Sequence, residues 1–216
     1  MTNSGKNKLF YSVLEKAGIE ILDKLPVFKN DFYLAGGTAL ALQLGHRISV
    51  DFDFFTSKQF DNEKLINLIK TVFDGLKISF IQNERDTLTF LLNSIIKISL
   101  FKLPYNNALP LIKTEYFNLA QIKEIGVMKL LALFRATYKD YVDIYYILKK
   151  HKLAELLTIA EEKHPEFDKA IYLRALLSYG DVDEFPIVFA SGFEVDRSNV
   201  FNFIERKAVE YLKRTK

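Results

Sequence analysis

The chain has 216 residues, about one to one and a half domains by length, and its 49% apolar and 26% charged residues exclude a disordered chain and allow a sizeable core. The absence of Cys excludes disulfides, thiolate metal sites, iron–sulfur clusters and cysteine nucleophiles. A formal net charge of +3 does not by itself point to nucleic acid, so partners have to be read from local features. With 19 Phe, 11 Tyr and no Trp, the core should be rich in phenyl rings. The first residues carry no apolar signal-peptide stretch, and no apolar run approaches the ~20 residues of a membrane span, so a soluble cytoplasmic protein without membrane contact is expected.

From Leu9 to Leu25 apolar residues recur every three or four positions, which predicts a helix with one apolar face. Asp31 to Ala35 reads as a short strand running into Gly36-Gly37-Thr38, with a brief helix from Ala39 closed by Gly45. Ser49 to Phe55 alternates small or acidic with apolar residues, the period of a two-faced strand. Asp61 can cap a helix from Asn62 to about Phe73. Three further strands are predicted over Lys77–Gln82, Thr87–Leu92 and Ile95–Phe101, joined by turns at 83–86 and 93–94. Pro104 and Pro110 mark a loop. Beyond Asn118, read as a cap with Gln121 three residues on, helical periodicity dominates, with Pro165 suited to a first helical turn and Asp196 or Ser198 to the cap of the last helix. The expected class is α/β: a mixed-sheet core over residues 1–117, then a helical C-terminal part over 118–216.

Two clusters carry chemistry. On a strand, Ser49, Asp51 and Asp53 face the same way, with the carboxylates ~7 Å apart at Cα. Two carboxylates among phenylalanines repel each other and lose solvation, and a divalent cation such as Mg²⁺ resolves both problems. Gly36-Gly37-Thr38 allows close backbone approach to a phosphate at a helix N-terminus. The bland reading is a soluble sheet edge and an ordinary glycine turn. In the second cluster, Lys129, Asp140 and Asp143 share one sector of an unbroken helix, with Arg135 elsewhere; alternatively Thr137-Tyr138 breaks the helix and Asp140 starts the next one. Lys129 would then touch a triphosphate, and Asp140 or Asp143 would orient Arg135 or Lys129, or act as a base. The competing reading is a Lys139–Asp143 helix pair on a solvated face.

The runs Gly36 to Leu42, Gly45-His46-Arg47, Ser49 to Phe55, Met128 to Arg135 and Lys139 to Asp143 resemble the AbiEii/AbiGii-type nucleotidyltransferases, toxin components of abortive-infection and type IV toxin–antitoxin systems. The resemblance implies a nucleotidyltransferase-like core, Mg²⁺, a nucleoside triphosphate as substrate and an antitoxin as partner. It also implies an acceptor, which in some members is the 3′ end of tRNA. By position, Gly36, Gly37, Thr38 and Ser49 would hold phosphate, Asp51 and Asp53 metal, and Lys129 and Asp143 would complete the site. The superfamily's third carboxylate is missing: the strand Ile95–Phe101 offers Lys97 and Ser99 on that face. This leaves Asp143 or Asp140 as base, or a non-catalytic module that binds nucleotide, RNA or protein on the same fold. His46 and Arg47 are expected beside the phosphate site in a supporting role, and His151 and His164 at the surface. The basic end, Arg206, Lys207, Lys213, Arg214 and Lys216, reads as the solvated face of an amphipathic helix, with an RNA-backbone contact as the rarer alternative.

Overall fold

A computed structural model describes residues 8–180, 182 and 186–214. A seven-stranded mixed sheet runs through the N-terminal half in the order β3-β4-β5-β2-β1-β7-β6. Its strands are β1 (Tyr33–Ala35), β2 (Phe52–Thr56), β3 (Ile78–Glu84), β4 (Thr87–Leu92), β5 (Ile96–Lys102), β6 (Ile112–Lys113) and β7 (Asn118–Leu119). β2 lies between β1, antiparallel, and β5, parallel, with Asp53 opposite Ala35 on one side and Ser99 on the other. The β3–β4–β5 meander turns at Asp86 and at Asn93-Ser94, all with positive φ, as the polar breaks predict.

Helix α1 (Lys16–Glu20) and the 3₁₀ turns around it replace the single helix expected over Leu9–Leu25. Two contacts account for the break. The Ser49 N–H donates to the Val13 carbonyl in a short bridge between extended segments, and a Cβ built at Gly18 would stand 3.6 Å from the Phe52 ring, so the chain follows the sheet rather than a straight axis. Helix α2 (Gly36–Leu44) starts at Gly36, three residues before the expected Ala39, and ends at Gly45 with φ 72°. Helix α3 (Asn62–Val72) is capped by Asp61, whose side chain accepts from the Glu63 and Lys64 N–H groups.

Asn118 does not cap a helix: it belongs to β7, beyond position 117 where the helical composition begins, and its side chain donates to the Lys29 carbonyl. The helices that follow are α4 (Ile122–Leu131), α5 (Tyr138–Lys150), α6 (Leu153–Lys163), α7 (Lys169–Leu177) and α8 (Arg197–Arg214). Pro165 sits in the turn between α6 and α7 rather than in a first helical turn, and Asp168 caps α7. Helix α8 begins directly after Asp196 and buries Val200, Phe201, Ile204 and Ala208, while Arg206, Lys213 and Arg214 face out as expected and Lys207 is only partly exposed; Lys216 lies outside the described residues. Helices α4 and α5 pack on α2 and so bring the helical half against the sheet. None of the described helices is long and apolar enough to cross a membrane.

Along β2 the alternation places Phe52, Phe54 and Thr56 in the core and Asp53 on the other face. Phe54 packs on Phe28 at 5.2 Å between ring centroids, and Phe28 and Phe90 both pack on Phe73, the residue closing α3. This aromatic layer fixes the strand that carries the acidic residues. Phe54→Ala should cost about 3–5 kcal/mol by leaving a cavity under β2, read as a lowered midpoint in urea unfolding.

Candidate functional site

An open cavity of about 470 Å³ lies where the start of α2, the loop 47–51, β2, the end of α4 and the start of α5 meet. Gly37, Thr38, Arg47, Ser49, Asp51 and Asp53 line one side, and Lys129 and Asp140 the other. Eight residues singled out in the sequence thus converge. Gly36 adjoins them: a Cβ built there would stand 2.9 Å from Asp53 Oδ2, and φ is +67°, so glycine is needed both for the turn and for room at that carboxylate. A side chain at Gly37 would collide with the Arg47 guanidinium.

The loop is ordered by a directional hydrogen-bond chain. Thr38 Oγ1 donates its proton to the Asp51 carbonyl, so at the 2.8 Å contact between the two hydroxyls Ser49 must be the donor. Ser49 Oγ in turn accepts from Arg47 Nη1 at 3.4 Å. The turn after β1 is therefore tied to the backbone of the first acidic residue.

Below the cavity, Asp143 is wholly buried and its two oxygens are fully engaged. Oδ1 accepts from His46 Nε2 at 2.7 Å and Arg47 Nε at 2.8 Å; Oδ2 accepts from Arg47 Nη2 at 2.9 Å and lies 2.8 Å from Lys129 Nζ. Burial alone would raise this carboxyl, but Arg47 and Lys129 hold it well below the usual carboxylate range. Asp143 is thus held ionised with both oxygens engaged, an arrangement that suits the orienting role of the two the sequence left open, and its burial excludes a solvated Lys139–Asp143 pair.

Thr137 caps α5 with a reciprocal capping box, in which the Thr137 N–H donates to Asp140 at 2.9 Å. A short 3₁₀ turn, Leu133–Arg135, separates α4 from α5, so of the two sequence alternatives the broken helix is the observed one. The break turns Asp140 back toward Lys129, 2.6 Å from its Nζ. Burial would raise the Asp140 carboxyl, and Lys129 outweighs it and lowers it. Lys129 is itself held charged: burial would lower its pKa, while Asp143 and Asp140 raise it. Two of its three N–H groups are used, leaving one for the cavity it lines. Arg135, expected to support the site, is exposed on the 3₁₀ turn and does not line the cavity.

His46, on the loop after α2, is wholly buried and does not line the cavity, and its ring packs on Tyr146 at 5.0 Å. Its Nδ1 has no hydrogen-bond partner among the described residues. Burial lowers its pKa despite Asp143, so the neutral Nε2–H tautomer is the one that fits. His151 and His164 are only partly exposed, the latter edge-on to Tyr105 at 4.2 Å.

On the acidic side, Asp53 carries a raised pKa, set first by burial and then by Asp51, with Lys97, Lys129 and Ser99 working the other way. Ser99 sits opposite Asp53 on β5, where a third carboxylate would stand, and Lys97 Nζ lies 3.1 Å from Asp51 Oδ2. The ion pair was missed in the sequence. Its signal was the parallel register of two strands 46 residues apart, which residue spacing alone does not reveal.

The fold is that of a nucleotidyltransferase. The family model "Nucleotidyl transferase AbiEii toxin, Type IV TA system" matches residues 20–198, and the chain belongs to that family. A 34% identical relative over 212 residues is the uncharacterised protein aq_aa25 of Aquifex aeolicus (strain VF5), with 92% of this chain and 98% of that protein covered. Among solved structures, JHP933 from Helicobacter pylori shares the fold at a TM-score of 0.60 and 18% identity, over 93% of this chain and 94% of that one. A second H. pylori structure, described as a candidate nucleotidyltransferase, aligns at 0.58 and 17% identity over 94% and 99%.

Asp143→Ala should destabilise the protein by about 3–5 kcal/mol, because it strands two buried cations; chemical unfolding measures this. A base with a depressed pKa costs stability as pH falls, since below about 6.5 the unfolded chain binds the extra proton. His46→Gln keeps a donor toward Asp143 without that proton, so between about pH 7 and about pH 5 its melting temperature should fall less steeply than that of the parent protein. Asp143 cannot produce the same slope. Its depressed pKa makes its contribution present above the ordinary carboxylate range and lost only as pH drops through its lower folded value.

Proposed function

We propose that the protein transfers a nucleoside monophosphate from a nucleoside triphosphate to the hydroxyl of an RNA acceptor, such as the 3′ end of a tRNA, as a toxin restrained by an antitoxin. The observation that carries this reading is the convergence, on one open cavity, of two carboxylates, a helix N-terminus preceded by glycine, and a fixed lysine. The carboxylates of Asp51 and Asp53 form an all-oxygen donor set, and the missing Cβ of Gly36 leaves room at Asp53 Oδ2, so these residues fit a hard divalent cation such as Mg²⁺. When bound there, Mg²⁺ would neutralise phosphate oxygens and orient them for in-line displacement.

The chain's own groups do the rest. The N–H groups opening α2, at Gly37 and Thr38, present positive ends to an anion. Lys129, unable to lose its proton beside Asp140 and Asp143, offers one N–H to charge that develops on the phosphates. Arg47 works from beneath by holding Ser49 and Asp143 in place. The acceptor oxygen attacks the α-phosphorus, forming the new O–P bond as the bond to pyrophosphate breaks.

The second reading, a module that binds nucleotide or RNA without turnover, draws on Ser99 standing where a carboxylate would help activate the hydroxyl. One experiment separates them: incubation with Mg²⁺, total RNA and each α-labelled nucleoside triphosphate in turn. Label should pass to RNA with the parent protein and be lost by at least about 100-fold in Asp51→Ala and Asp53→Ala, with circular dichroism unchanged. Nucleotide binding with no transfer to RNA would establish the module instead.

A further inference from the structure

Lys97 stands two residues before Ser99 on β5 and shares its face of the sheet. Because β5 runs parallel to β2 with Ser99 opposite Asp53, Lys97 arrives beside Asp51, and its Nζ lies 3.1 Å from Asp51 Oδ2. The two cations near the acidic pair differ in how they are held. Lys129 is nearly buried between two carboxylates and fixed. Lys97 is 40% exposed against an Asp51 that is 49% exposed, on a long flexible stem, so its ammonium can leave Asp51 to water. An ammonium has no lone pair for a metal, and while it sits on Asp51 it occupies an oxygen that a cation would need. No third His, Cys, Asp or Glu joins Asp51 and Asp53 in a metal-binding group among the described residues, so the pair has no spare carboxylate to offer instead.

Resting on the nucleotidyltransferase reading above, we propose that Lys97 is the built-in counter-ion of the site: its ammonium neutralises Asp51 when no divalent cation is present, and a cation must displace it. Lys97 thereby sets the metal affinity of the free protein and lowers it. An exposed pair of this kind is worth up to about 1 kcal/mol, which corresponds to about fivefold in affinity.

The test titrates the whole chain with Mn²⁺ alone, with no nucleotide, and reads free Mn²⁺ by electron paramagnetic resonance. Lys97→Met should bind Mn²⁺ about fivefold more tightly than the parent protein, while Lys97→Arg, which keeps the charge, stays near it. Should Lys97→Met lose its far-ultraviolet dichroism, Lys97→Gln replaces it with the same expectation. Equal or weaker Mn²⁺ binding by the folded uncharged variant overturns the proposal. Asp51→Asn separates this failure from a deeper one. If Asp51→Asn loses Mn²⁺ while Lys97→Met matches the parent, only the role of Lys97 falls. If Asp51→Asn binds Mn²⁺ as the parent does, the metal reading of the acidic pair falls as well.

Discussion

The buried carboxylate of Asp143 is the tie on which the rest of the site depends. It gathers three positions from distant parts of the chain: His46 and Arg47 on the loop after α2, and Lys129 near the end of α4. A carboxylate taken out of water in this way is tolerated only because its lone pairs are met by charged or polar donors. In return the donors lose their freedom. Arg47 is clamped in a two-pronged contact, and from that fixed point it reaches Ser49, whose hydroxyl holds Thr38. The glycine turn at the start of α2 is therefore positioned from beneath, by charge, while the aromatic layer under β2 positions the acidic residues from the other face of the sheet.

This arrangement divides the cavity into two unlike halves. On the side formed by Lys129 and Asp140, the lysine is nearly buried and held between Asp140 and the underlying Asp143. The side formed by Asp51, Asp53 and Lys97 is half open and adjustable. The triphosphate and divalent cation proposed above would draw on both halves, the phosphates on Lys129 and the cation on Asp51 and Asp53.

Local patterns in the sequence were legible where the structure depends on neighbours along the chain. The alternation from Ser49 to Phe55, the Asp61 cap, the two turns of the meander and the glycine turn at Gly36 each follow from a few adjacent residues, and the two charged motifs meet as expected. The errors occur where a distant segment decides. The 9–25 stretch has helical periodicity, but the sheet bends it through Gly18 against Phe52. Asn118 has the chemistry of a cap, yet Leu34 claims its neighbour Leu119 for a strand pair. Asp143 reads as a site residue with two possible roles, and only its contact with Arg47, 96 positions earlier, shows that it lies beneath the cavity rather than in its wall. His46 was misplaced for the same reason.

The loop that carries His46 and Arg47 is itself braced from far along the chain. The Ile48 N–H donates to the Val188 carbonyl, Arg47 pairs with Phe189, and the Ala190 N–H donates to the His46 carbonyl. During synthesis this brace cannot form until residue 190 has cleared the ribosome. A nascent chain with a finished sheet and both acidic residues in place still lacks the distant segment that braces its arginine loop, so the last part of the cavity wall to be secured is the one encoded farthest from it.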